Sequence, residues 1–315
     1  MLLAYNTNGL ALHDPAEAIK LLAEIGYRGV GLTIDRDLLN PYVDGFEKSI
    51  AQVRKLLEQY EMRSVVETGA RFLLDPMNKH EPTLMTAERA GRARRIEFYR
   101  HAIDIAQALG SDCVSLWSGK LNASMNRRGL SPFVESSEQK GTVPLSAGDS
   151  QMGSKAAFSR LIEGLQQVCD YADLKQVILG FEPEPGMFID RMDRYEELAA
   201  KFAGSPLRLT LDIGHLHCQG EVPIAGQIRI CGRRIVNVHI EDMRTGIHEH
   251  LMFGEGEIDF PPVIAALRAI DYRGLLQVEL SRHSHVGPEA ARQAYDYLHP
   301  LVAAKQPQLA RPEKR

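Results

Sequence analysis

The chain has 315 residues, of which 44% are hydrophobic and 25% are charged, and its formal net charge is −4. This is the composition of a globular protein, and the length allows two small domains or one large α/β domain. The negative charge and the lack of a long basic run argue against non-specific binding to nucleic acid or to membrane surfaces.

The cysteines and the N-terminus bear on where the protein works. The four cysteines form no CxxC pair, which is typical of a reduced intracellular protein. The segment MLLAYNTNGL turns polar at Tyr5, too early for a signal peptide, and no apolar stretch approaches the roughly 18 residues of a membrane helix. We therefore expect a cytoplasmic protein without a membrane or nucleic-acid partner. A homo-oligomer is compatible with the sequence.

Short runs with strand-like alternation are separated by longer helix-like segments along the whole chain. In chain order the predicted strands are LLAYNT (2–7), YRGVGLTI (27–34), RSVVET (63–68), DCVSLW (112–117), QVILGFE (176–182), LRLTLDI (207–213), RIVNVHI (234–240) and GLLQVEL (274–280). The predicted helices cover residues 15–25, 44–60, 88–109, 153–172, 193–203, 221–232, 260–270 and 287–304. Asp14 and Pro15 mark the start of the first helix, and Gly26 marks its end.

Eight strand–helix units predict a single closed (β/α)8 TIM barrel over residues 1–305, followed by a tail at 306–315. An open, doubly wound sheet is the main competitor. That arrangement is disfavoured because no G-x-G-x-x-G motif follows the first strand.

Two longer connections interrupt the regular spacing, near residues 70–87 and 118–152. Both leave the carboxyl ends of predicted strands, and in a barrel these ends form the active-site face. The two insertions are therefore either lids over a substrate or tolerated surface insertions.

The last four predicted strands each end in a group that can hold a proton or a metal. These groups are Glu182, Asp212, His239 and Glu279. In a barrel these strand ends meet at one mouth, where three crowded carboxylates raise each other's pKa values and a divalent cation removes that penalty. One imidazole among carboxylate oxygens suits Mn²⁺, Mg²⁺ or Co²⁺, and Zn²⁺ is also compatible. Taken singly, a strand-end Asp or Glu is more often a helix N-cap or a satisfied ion-pair partner. His239 taken alone is also explained as a core histidine hydrogen-bonded to the backbone.

Five motifs carry a family resemblance that extends over nearly the whole chain. They are GFEPEPG, LDIGHLH, VNVHIEDM, FGEGEIDF and QVEL. With these motifs the chain resembles the xylose isomerase-like barrel superfamily of sugar isomerases and epimerases, which also includes endonuclease IV. The resemblance implies one divalent metal ion held by Glu182, Asp212, His239 and Glu279. It also implies that His215 and Arg244 contact substrate oxygens.

In the ketose epimerases of that superfamily the two glutamates also exchange protons with the substrate carbon, so the resemblance makes Glu182 and Glu279 the catalytic residues. The chemistry agrees, since inverting a centre beside a carbonyl requires removal of a C–H proton and stabilisation of an enediolate. One carboxylate on each face of that intermediate removes a proton and returns it to the other side.

Other polar and aromatic residues near strand ends are candidates for substrate binding. His248 and His250 lie in the loop after the seventh strand, Glu67 ends the third, and Trp117, the only tryptophan, ends the fourth. In the endonuclease branch a similar Asp-x-His pair holds an additional zinc. Three alternatives are therefore open for Glu67, His215, His248 and His250: ligands of a second metal, substrate contacts, or a polar loop. Trp117 is either a wall for a sugar ring or a core residue.

We expect a metal-dependent isomerase or epimerase that acts on a small-molecule sugar or polyol. A lyase on the same scaffold, such as a keto-inositol dehydratase, begins with the same proton abstraction. An endonuclease IV-like phosphodiesterase is disfavoured by the acidic net charge and by the lack of histidines at the third and fourth strand ends. A barrel without catalytic activity is disfavoured by the intact metal quartet.

Overall fold

The computed structural model describes residues 1–121 and 149–304, except for the side chains of 149–153. Most of the predicted insertion at 118–152 and the predicted tail at 306–315 therefore lie outside the described residues.

Within these ranges the chain forms ten strands, eight of which close into a parallel barrel. The strands are β1 (Leu2–Asn6), β2 (Gly29–Thr33), β3 (Arg63–Glu67), β4 (Val114–Leu116), β5 (Leu179–Phe181), β6 (Leu207–Asp212), β7 (Ile235–Ile240), β8 (Asp242–Arg244), β9 (Ile247–Leu251) and β10 (Leu275–Val278). The order around the barrel is β1-β10-β7-β6-β5-β4-β3-β2, and β8 and β9 form an antiparallel hairpin above it. The predicted (β/α)8 barrel is confirmed.

Nine helices in the described ranges surround and cap the barrel. They are α1 (Pro15–Ile25), α2 (Phe46–Gln59), α3 (Arg89–Leu109), α4 (Asp149–Lys175), α5 (Met192–Ala199), α6 (Ile213–Cys218), α7 (Ile224–Cys231), α8 (Phe260–Ala269) and α9 (Gly287–Ala303). Short 3-10 turns occupy Thr7–Leu10, Ala200–Phe202, Gly232–Arg234 and Ser284–Val286. The sequence did not predict α6 or the β8–β9 hairpin. No helix in the described part of the chain is long and apolar enough to cross a membrane.

Helix α1 shows how local sequence determines an element. The Asp14 side chain accepts hydrogen bonds from the backbone N–H groups of Ala16 and Glu17, and Pro15 occupies the first helical position. The helix stops at Gly26, whose φ of 127° favours glycine. The predicted start and end of this helix are confirmed.

The barrel interior changes from apolar to polar towards the carboxyl ends of its strands. One buried cluster consists of Ala4, Val65, Cys113 and Leu275. Two residues further along the same strands, Gln277 and Glu67 are buried as well. Gly31 leaves the room that Gln277 occupies, because a Cβ at Gly31 would collide with that side chain. The polar end of the interior is therefore the expected position of a functional site.

Candidate metal centre at the barrel mouth

Four side chains converge at the carboxyl ends of neighbouring strands. Glu182 directly follows β5, Asp212 ends β6, His239 lies near the end of β7, and Glu279 directly follows β10. These strands are adjacent in the barrel, and Asp212 is paired in register with His239. One ligand atom from each of the four residues lies within 4.8 Å of those of the other three.

The imidazole of His239 lies between the carboxylates. Its Nδ1 is 3.0 Å from Glu182 Oε1, 3.1 Å from Glu279 Oε2 and 4.0 Å from Asp212 Oδ2. All four side chains are largely withdrawn from solvent. Nδ1 is therefore the ring nitrogen that faces the carboxylate cluster.

Burial and close contact shift the pKa values of the side chains in this cluster. Burial raises the pKa of Glu182 well above its ordinary value, and Glu279 and Asp212 raise it further against the opposing effect of His239. Burial lowers the pKa of His239, but Glu182, Glu67 and Glu279 outweigh it, so the pKa of this imidazole lies well above its ordinary value. Burial also raises the pKa values of Asp212 and Glu279, but neighbouring histidines outweigh burial, so both pKa values lie below their ordinary values. The predicted mutual rise of the pKa values is therefore seen for Glu182 alone among the three carboxylates, and a divalent cation can supply positive charge to the cluster.

The donor set fits a divalent cation. Asp212 Oδ1 accepts a 2.7 Å hydrogen bond from the backbone N–H of His215 and so caps helix α6, whereas Oδ2 is buried and has no hydrogen-bond partner among the described residues. A buried carboxylate oxygen without a partner is costly. Carboxylate oxygens with one imidazole are ligands that Mn²⁺, Mg²⁺, Co²⁺ and Zn²⁺ accept. Glu182, Asp212, His239 and Glu279 would hold such an ion.

Glu67, predicted as a substrate contact, lies behind His239 within the barrel and is 6% exposed. Its Oε1 is 3.0 Å from His239 Nε2, on the side of the ring opposite the carboxylate cluster. It also accepts hydrogen bonds from the side-chain amides of Gln277 at 2.6 Å and Asn237 at 3.2 Å.

Three further histidines form a second cluster beside the first. His215 comes from α6, and the β8–β9 hairpin brings His248 and His250 towards it, so that their ring nitrogens lie within 4.8 Å of one another. The Nε2 atoms of His215 and His248 are 3.1 Å apart. His215 Nε2 is also 3.5 Å from Asp212 Oδ2, so the two clusters adjoin. Burial, with the neighbouring imidazoles, lowers the pKa of His248 to about 3.

Two other predicted site residues lie outside both clusters. Trp117 is 9% exposed. Its ring makes a T-shaped contact with the ring of His80, with 4.9 Å between centroids. The guanidinium of Arg95 lies 5.6 Å from the centroid of the Trp117 ring. Arg244 is exposed on β8, where it donates a 2.9 Å hydrogen bond to the carbonyl oxygen of Glu255.

Three polar residues at the mouth were not among the predicted site residues. Asn8, in the turn after β1, donates a 2.8 Å hydrogen bond to Glu279 Oε1. Glu241 is fully buried, and neither of its carboxylate oxygens has a hydrogen-bond partner among the described residues. Burial, followed by Glu279 and Asp212, raises the pKa of Glu184 to about 8. Glu241 and Glu184 lie two residues after His239 and Glu182, and this spacing is a signal in the sequence. No sequence pattern points to Asn8.

A cavity of about 680 Å³ is lined mainly by the segments that follow β1, β2 and β3, and none of the four candidate metal ligands lines it. Its lining includes Asn8, Arg71, Tyr42 and Phe72. Because Asn8 also contacts Glu279, the cavity begins one side chain away from the candidate metal ligands. This volume lies within the range of small-molecule binding sites.

Comparison with known proteins agrees with this fold. Residues 19–301 match the family model described as xylose isomerase-like TIM barrel. L-ribulose-5-phosphate 3-epimerase UlaE of Salmonella paratyphi C is 24% identical over 262 residues, which is 82% of each chain.

Two solved structures share the fold. D-allulose 3-epimerase from Methylomonas sp. in complex with D-allulose has a TM-score of 0.65 and 19% identity, with 95% of this chain and 96% of that chain covered. The IolI protein with a bound zinc atom has a TM-score of 0.68 and 15% identity, with 96% and 98% covered. At these identities the likeness concerns the fold alone.

Proposed function

The chain belongs to the xylose isomerase-like TIM barrel family, and from that premise we propose that it is a divalent-metal-dependent isomerase or epimerase of a sugar or polyol. One observation carries the proposal. Three carboxylates and one imidazole converge within 4.8 Å at the barrel mouth, and one of the carboxylate oxygens is buried without a partner among the described residues.

Glu182, Asp212, His239 and Glu279 would hold one ion, with Mn²⁺, Mg²⁺ or Co²⁺ favoured by the oxygen-rich set and Zn²⁺ compatible. When bound, the ion polarises the substrate carbonyl and offsets the negative charge that develops as the neighbouring carbon loses a proton.

The protein's own residues supply the proton transfer. Glu182 follows β5 and Glu279 follows β10, so their carboxylates approach the site from separate strands with β6 and β7 between them. We assign one carboxylate to each face of the substrate carbon, because inversion requires removal from one face and return to the other. Epimerisation uses both glutamates, and isomerisation can use one. Asn8 holds Glu279 through Oε1.

The remaining polar residues are assigned to substrate binding. We propose that His215, His248 and His250 hydrogen-bond substrate oxygens, and that the adjoining cavity takes the rest of the substrate. We also propose Arg244 and Trp117 as substrate contacts at the periphery of the site. Arg244 is exposed, and Trp117 is packed against His80.

Solvent exchange tests the proposed function. The metal-loaded protein is incubated in D₂O with ketoses, keto-inositols and their phosphates, and we expect deuterium at the carbon beside the carbonyl of at least one of them, with formation of its isomer or epimer. Chelation should abolish exchange, and one equivalent of Mn²⁺, Mg²⁺ or Co²⁺ should restore it. Exchange that persists in fully metal-free protein would contradict the proposal.

The same experiment separates two alternatives by their products. Loss of water after exchange would identify the lyase reaction of a keto-inositol dehydratase. A requirement for a second equivalent of metal, removed by His248→Ala, would assign the three histidines to a second ion instead of to substrate oxygens.

Abasic-site DNA should not be cleaved by this protein. Hydrolysis of a phosphodiester in the endonuclease branch relies on several zinc ions and a basic surface. Here β3 ends at Glu67 and β4 ends at Leu116, followed by Trp117, so neither strand end carries a histidine, and the net charge is −4. Incubation of a labelled abasic duplex, with an authentic endonuclease alongside as positive control, should show no nicking. Robust nicking at catalytic enzyme concentration would overturn the sugar assignment.

A further inference from the structure

We propose that Glu67 is a positioning residue that keeps a proton on Nε2 of His239, so that Nδ1 presents its lone pair to the metal ion. The inference rests on the proposed function for the presence of that ion. The observation behind it is a buried cluster beneath His239, formed by the side chains of Glu67, Asn237 and Gln277.

The geometry around Glu67 Oε1 is that of an acceptor surrounded by donors. Gln277 Nε2 is 2.6 Å away, His239 Nε2 is 3.0 Å away and Asn237 Nδ2 is 3.2 Å away. The groups come from β3, β7 and β10, and all four side chains are buried. An ionised carboxylate only accepts hydrogen bonds, so the imidazole nitrogen that faces it is a donor.

The contacts of His239 Nε2 determine whether this ring nitrogen donates or accepts a hydrogen bond. Asn237 Nδ2 also lies 3.1 Å from His239 Nε2, a distance that would allow the amide to donate to the ring. In that arrangement the lone pair of Nε2 would face Glu67 Oε1 at 3.0 Å with no proton between the two atoms. Asn237 Nδ2 and His239 Nε2 instead both donate to Glu67 Oε1. The two nitrogens lie close together because they share this acceptor.

A histidine ligand with a carboxylate on its other nitrogen is held in one tautomer and one orientation. Glu67 lies on the opposite side of the ring from Glu182 and Glu279, which flank Nδ1. Nδ1 is therefore the ring nitrogen that would hold the ion. Asn237 and Gln277 in turn hold the Glu67 carboxylate in place.

The first test observes the ring directly. Protein labelled with ¹⁵N-histidine and loaded with zinc as a diamagnetic probe is studied by long-range ¹H–¹⁵N correlation. We expect His239 to carry its proton on Nε2, with Nδ1 shifted by the metal. A proton on Nδ1 and zinc on Nε2 would overturn the proposal, even if no Glu67 variant can be folded.

The second test measures metal affinity by competition with a chelator. Glu67→Gln keeps the shape of the side chain but removes its charge, and outer-sphere changes of this kind cost about 10–100-fold in metal affinity. Activity of Glu67→Gln should recover when the metal concentration is raised by the same factor, which a folding defect would not allow. Wild-type metal affinity in Glu67→Gln would also overturn the proposal.

Ser115→Ala is the matched control. Ser115 is buried, is paired in register with Glu67 on the neighbouring strand, and bonds Thr210 instead of His239. Its metal affinity should be unchanged. A wild-type protein that binds metal with the expected tautomer but turns over no sugar would refute the proposed function and leave this inference standing.

Discussion

Glu182→Gln and Glu279→Gln are each expected to lower turnover by about 10²–10⁴-fold, the usual contribution of a general base. Glutamine keeps an oxygen in the same place but does not accept a proton at neutral pH. Both glutamates are also proposed metal ligands, and a neutral amide oxygen is a poorer ligand than a carboxylate, so weaker metal binding adds to the loss. Rates are therefore compared at saturating metal.

Exchange of the substrate C–H with deuterium separates the two glutamates. An epimerase with one base on each face should keep partial exchange in either single variant, from the face whose glutamate survives. A single-base isomerase should lose exchange in one variant and largely retain it in the other. Normal turnover by a metal-replete double variant would show that neither residue is the base.

Glu196→Gln is the control for these variants. Glu196 forms a bidentate pair with Arg234 on the outside of the barrel, with N–O distances of 2.6 and 2.7 Å. Exposed ion pairs contribute about 0–1 kcal/mol to stability. This variant should keep wild-type turnover and wild-type metal content.

Asp212→Asn should remove metal-dependent activity, with a larger loss of metal affinity than the about 10–100-fold that outer-sphere changes cost. The substitution takes one negative charge from the quartet and puts an amide where the unpartnered Oδ2 now faces the site. Bound metal after dialysis and affinity by chelator competition measure the effect. Wild-type affinity in Asp212→Asn would exclude this carboxylate as a ligand.

Asp212→Ala separates the ligand role of Asp212 from its structural role. Oδ1 caps helix α6 by accepting from the backbone N–H of His215, and asparagine is as good a cap as aspartate. We expect both variants to lose metal, but only Asp212→Ala to lose the cap as well, at about 0.5–2 kcal/mol of stability. Thermal unfolding of the two metal-free variants measures this difference.

Long-range contacts explain why some of the site was not predictable. Asn8 and Glu279 are 271 positions apart, and Gln277 and Glu67 are 210 apart. No local pattern links such residues, since their approach depends on the closure of β1 against β10 and on the radius of the barrel. Glu67 was predicted from its strand-end position, but its place behind His239 follows from which way its side chain turns within the barrel.

The short elements after β6 and β7 were missed for a different reason. Helix α6 has six residues and the β8–β9 hairpin has strands of three and five, too short for periodicity to show. Tertiary contacts stabilise them, among them the Asp242 carboxylate, which accepts hydrogen bonds from the backbone of Gly254, Gly256 and Ile258. These elements bring His248 and His250 to His215.

By itself the sequence determined the fold class, the strand ends and the four candidate metal ligands. These follow from local alternation, from helix caps such as Asp14, and from the rule that neighbouring parallel strands present their carboxyl ends together. Only the tertiary structure decided which nitrogen of His239 faces the carboxylates, what holds its other nitrogen, and which histidines cluster beside Asp212. Those features depend on side-chain directions and on contacts between residues far apart in the chain, which become defined only when the barrel closes.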